Sequence, residues 1–151
     1  MYVGKAVDTA IHDHHVVQIA ISFDEAMEIK LPDLSLKFKA AIIDSDQPHE
    51  CRTFNNTFLL LNIAPESRIA TALKKTYFSC QRIAELPTEN AAEFVDKLKM
   101  EMTRGQNMEE IFSITQNFLH ELSCTEQTRI LDERILEVLK ILNRQDDVQL
   151  K

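Results

Sequence analysis

A chain of 151 residues with 44% hydrophobic content is long enough to bury one core and too short for several independent ones. Its formal charge of −7 argues against a nucleic-acid surface of its own, because phosphate contacts need clustered Lys and Arg. No apolar run reaches the roughly 18 residues of a membrane span, the N-terminus lacks the basic-then-apolar order of a signal peptide, and three widely spaced cysteines fit reduced, buried thiols, so the expected setting is cytoplasmic with no membrane contact.

The first patterned stretch is His12-Asp13-His14-His15-Val16-Val17-Gln18. Alternation along a strand sets His12, His14, Val16 and Gln18 on one face and His15, Val17, Ile19, Ile21 and Phe23 on the other. One face is polar and imidazole-rich; the other is a packing surface. Further strands are read at Met27 to Leu31 and at Leu36 to Ile43, where Lys37 and Lys39 mark a solvent face or a protected edge. The turn Ser45-Asp46-Gln47-Pro48 delivers His49 to the mouth of the next strand, so the polar face and His49 are expected to line a barrel interior. Asn55-Asn56 signals a hairpin before Phe58-Leu59-Leu60-Leu61, a run that reads as buried on both faces.

After Pro65 the hydrophobic period changes from two to about 3.6. Pro65 and Ser67 open a helix carrying Ile69, Ala70, Leu73 and Tyr77, and Thr88 precedes a second with Ala91, Phe94, Val95, Leu98 and Met102, ended by Gly105. Asn107 caps a third, and Asp132 caps a fourth holding Ile135, Val138, Leu139 and Leu142. The apolar arc of the third helix is wider than one contact needs, so Ile111, Ile114, Phe118, Leu119 and Leu122 are expected to face a second copy of the chain.

Other constellations are weaker. Asp44, Asp46 and Glu50 cluster around His49, but turn carboxylates ordinarily cap backbone amides or face water. Cys51 lies near His49 without a third group to orient a Cys-His pair, and no phosphate-binding loop, dinucleotide fingerprint or nucleophile elbow is present.

The order His12-x-His14-x-x-x-Gln18, then Pro48-His49, then Phe58-Leu59-Leu60-Leu61-Asn62-Ile63-Ala64-Pro65-Glu66-Ser67 leading into helices, resembles the cupin-type effector domain of AraC/XylS-family transcription regulators. Arg134-Ile135-Leu136-Glu137-Val138-Leu139-Lys140-Ile141-Leu142 is similar to the stretch that leads into that family's double helix-turn-helix domain. The resemblance implies an α+β fold: a small cupin-like antiparallel β-barrel over residues 1–64, then about four α-helices. Residues 65–145 would form the helical dimerisation part and 146–151 the start of a linker to a helix-turn-helix domain absent from this sequence. It further implies a bacterial regulator rather than an enzyme, a homodimer that reaches DNA only through that domain. A small-molecule effector would be held by His12, His14, Gln18 and His49, with no cofactor. The alternative is a small metal-dependent cupin enzyme. Metal-binding cupins take HxHxxxE plus a later His, and here His12, His14 and His49 match while Gln18 replaces the carboxylate. Without that anionic ligand, less than stoichiometric metal is expected.

Overall fold

The computed structural model describes residues 1–5 and 9–124. The fourth helix expected after Asp132 and the linker at 146–151 lie outside the described residues. In chain order the elements are β1 (Tyr2–Lys5), β2 (Val17–Ser22), β3 (Met27–Leu31), β4 (Leu34–Phe38), β5 (Ala40–Ile43), β6 (Glu50–Arg52), β7 (Thr57–Ile63), α1 (Arg68–Tyr77), β8 (Ile83–Glu85), α2 (Thr88–Arg104) and α3 (Met108–Ser123). The fold is mixed α+β, as expected, with two antiparallel sheets.

The larger sheet runs β1-β7-β2-β5-β8 and the smaller β4-β3-β6. They are separate hydrogen-bonded sheets, so the expected closed barrel is not formed among the described residues. The physical reason lies at Lys39. Read as one strand, Leu36 to Ile43 keeps Leu36, Phe38, Ala40 and Ile42 on a single face. The chain instead turns a corner at Lys39, and β4 pairs with β3 in one sheet while β5 pairs with β2 in the other. Leu36 and Phe38 then pack with Met27 and Ile29 between the sheets, whereas Ala40 and Ile42 join the core beneath the helices.

The large sheet is therefore the middle of three layers. Val17, Ile19, Ile21, Leu59, Leu61 and Ile63 meet the helices on one face, and Ala20, Ala41, Ile43 and Ile83 meet the small sheet on the other. Every residue of β2 and β5 is buried as a result. The space expected to be a barrel interior is filled by apolar side chains at this level.

The helices end as their sequences direct. Ser67 Oγ accepts from the Ala70 N–H and Asn107 Oδ1 from the Glu109 N–H, satisfying otherwise orphaned donors. Gly105 closes α2 at φ 117°, a left-handed conformation that favours glycine. Between α1 and α2 the chain returns to the sheet as β8 and pairs with β5, so residues 65–145 are not purely helical. No helix among the described residues is long and apolar enough to cross a membrane.

The dimer stripe requires correction. Ile111, Phe118 and Leu122 are buried in the core of the single chain, with Ile114 and Leu119 packed against it, because the stripe of α3 lies on α1 and α2. Phe118 stacks on Phe94 at a ring-centroid distance of 4.1 Å. The apolar residues that α3 leaves exposed are Met108 and Phe112. Cys51 is half-buried while Cys80 and Cys124 are exposed, so the last two are not the buried thiols expected.

Candidate metal centre at the sheet crossover

Two segments pass from one sheet to the other side by side, and the histidines sit on them. Residues 9–12 run along β6, with the Thr9 N–H donating to the Cys51 carbonyl, and then lead into β2 of the large sheet. Residues 44–49 leave β5 and enter β6 in the opposite sense. His12 and His49 exchange backbone hydrogen bonds of 3.0 and 2.9 Å, and the Asp46 N–H donates to the His14 carbonyl at 2.7 Å. Asp46 adopts φ 60°, a left-handed conformation that asparagine and aspartate tolerate better than most residues.

His12 and His14 precede β2 rather than lying on it, so strand alternation is not what sets their faces. The backbone pairing of His12 with His49 does it instead. Ring centroids are 4.5 Å apart for His12 and His14, 4.6 Å for His12 and His49, and 6.0 Å for His14 and His49. The candidate ligating atoms of the three residues lie within 4.8 Å of one another. Gln18, on β2, is buried with its amide donating to Asn62 Oδ1 on the neighbouring β7. That bond holds the group expected to stand in for the carboxylate.

The hydrogen bonds fix the tautomers. His12 Nδ1 lies 2.7 Å from the Ala10 carbonyl and His49 Nδ1 lies 2.8 Å from the Gln47 carbonyl. A carbonyl only accepts, so each Nδ1 carries a proton and Nε2 is the nitrogen left to ligate. His49 is 2% exposed, and its Nε2 is buried with no hydrogen-bond partner. Burial pushes the His49 imidazole below its ordinary value, the Gln47 carbonyl opposing the shift in part, with the charges of His12 and His14 adding to it. Partial burial, and then the neighbouring His12, lower His14 as well. Near neutral pH both rings are therefore held as the neutral form that a metal ion requires.

Three imidazoles, two of them with Nδ1–H anchored on backbone carbonyls, make a donor set suited to zinc and its first-row neighbours. Tetrahedral ligands about 2.1 Å from an ion stand roughly 3.4 Å apart, so closure by about an ångström completes the set. His14 is exposed, which leaves the site open on one side. The charge of Asp13, between the two ligands on the chain, opposes the shifts of His14 and His49 in part.

The other turn carboxylates are engaged elsewhere. Asp44 lies 3.3 Å from Lys74 Nζ and 3.8 Å from Arg82 Nε, and Asp46 holds the exposed His15 at 3.1 Å. That bond and the charge of Asp46 raise the His15 imidazole. Sequence reasoning missed the carbonyls of Ala10 and Gln47, which leave no side-chain signal, and the partnership of Asp44 with Lys74, which is 30 residues away in a different element. A scan against protein-family models and a search of curated proteins both return no match to this chain.

Proposed function

We propose that the chain is the sensing and dimerising part of an AraC/XylS-type transcription regulator, with a cupin-like β portion, and that its sensing element is a divalent transition-metal site formed by His12, His14 and His49. The regulator part is supported by the resemblance of the motif order and by the helical layer that follows the sheets. The metal part is carried by one observation: the buried, unpartnered Nε2 of His49, aligned by the Gln47 carbonyl and flanked by two further imidazoles. A buried polar atom without a partner costs about 1–3 kcal/mol, and coordination removes that cost. A small polar effector donating to the same nitrogen is the form of the reading closest to the sequence expectation. The enzyme alternative uses the same three ligands and is favoured only by the open side at His14.

Cobalt(II) titration of untagged protein tests this. One equivalent per chain should develop the visible absorption of a tetrahedral site, which zinc displaces. His49→Ala should abolish the band and His15→Ala should keep it. A band that survives in His49→Ala, or none in the wild type, refutes the metal site; turnover of a substrate by the loaded protein would favour the enzyme.

A further inference from the structure

We propose that Asp44 is the joint through which occupancy of the three-histidine site reaches the last turn of α3, a proposal that rests on the metal reading above. The ligand His49 ends a short loop whose other end is Asp44, and three sets of contacts make that loop a unit. At its far end His49 is locked to His12 by two backbone bonds. In its middle, Asp46 donates its N–H to the His14 carbonyl while its carboxylate holds His15. At its near end the Asp44 N–H donates to the Arg82 carbonyl at 2.8 Å, and the Asp44 carboxylate faces Lys74 and Arg82. Lys74 Nζ also donates to Ser45 Oγ at 3.2 Å.

Drawing His14 and His49 together by about an ångström around an ion acts on Asp46, because the His14 carbonyl is bonded to it. Backbone hydrogen bonds at Asp44, Asp46 and His49 tie the loop at both ends and in its middle. The displacement is then felt at Asp44, whose carboxylate is mostly buried and so is weakly screened from Lys74. Lys74 sits in the last turn of α1. Three residues on, at the end of the same helix, Tyr77 Oη donates to the Leu122 carbonyl at 3.2 Å in the last turn of α3. The path runs through the hydrogen bonds and ion pairs of the 44–49 loop and then along the end of α1, and a shared displacement is what would give it a signalling role. Asp44 and Lys74 are positioning residues here; neither touches the ion.

Hydrogen exchange of the full chain with and without one equivalent of zinc tests the coupling, after cobalt(II) absorption has established that each variant loads. Wild type should slow exchange roughly tenfold both around His12 and His49 and in the amides of residues 118–124. Asp44→Asn and Lys74→Met should load metal within about threefold of wild-type affinity, protect the histidine segments, and lose the protection at 118–124. Lys74→Met keeps the aliphatic stem, so it serves if Asp44→Asn fails to fold. Protection at 118–124 that persists in the folded variants, or wild-type protection confined to the histidine segments, overturns the coupling while leaving the metal site standing. Absence of any cobalt band in the wild type overturns both.

Discussion

His49 carries the site because its surroundings decide its protonation. The unfolded chain titrates this imidazole near 6.5, whereas burial in the fold lowers it, so between the two values the unfolded state binds more protons and stability rises with pH. Its contribution is present above 6.5 and is lost as pH falls through the lowered value. Metal-free protein should therefore melt at lower temperature as pH drops from about 7 to about 5, and His49→Asn should flatten that dependence. His15 has the opposite sign, since its protonated form is favoured by Asp46: what it adds is present below 6.5 and lost as pH climbs through its raised value. Both partners are more than half exposed, at 72% and 58%, so solvent screening leaves His49 and His14 to set the trend. Thermal melts across the pH series check this, and an unchanged slope in His49→Asn would assign the titration to another group.

At the scale of elements, α3 shows what a periodic stripe does and does not say. The spacing of Ile111, Phe118 and Leu122 marks a buried face, but the same stripe serves a neighbouring helix of one chain as well as a second chain. Only the packing of α1 and α2 decides between them. Phe118→Ala removes a ring stacked on Phe94 and should cost about 3–5 kcal/mol in chemical unfolding. If the chain pairs with itself through this helix, the residues free to do so are Met108 and Phe112, 71% and 64% exposed. Phe112→Glu should then give a monomer by light scattering with an unchanged melting temperature, whereas Phe118→Glu should fail to fold. A Phe112→Glu protein of wild-type size would remove α3 from the interface. Helix ends were readable because Ser67, Asn107 and Gly105 act through local backbone chemistry. The corner at Lys39 was not, because alternation continues through it and only the pairing partners change.

Across the whole molecule, the three layers follow from hydrophobic pattern more readily than the site does. The unbroken apolar run in β7 foretells a sheet covered on both faces, which is what the helices and the small sheet provide, whereas the alternation read into the β2 and β5 regions predicts one polar face and both strands are buried throughout. Strand β8 was hidden because three residues between helices carry too little pattern to register. The histidines were legible as a group, and their convergence depends on two antiparallel crossovers whose pairing no local rule specifies. Gln18 was legible as polar and inward, but Asn62 takes its amide. Zinc K-edge absorption of untagged protein, loaded with one equivalent and desalted, examines the three-histidine centre at the atoms that define it. The spectrum should show three imidazole nitrogens at about 2.0–2.1 Å with one further light ligand, and His49→Ala should lose the metal on desalting. Zinc that washes out of the wild type, or a shell containing sulfur or built from oxygen alone, would contradict it.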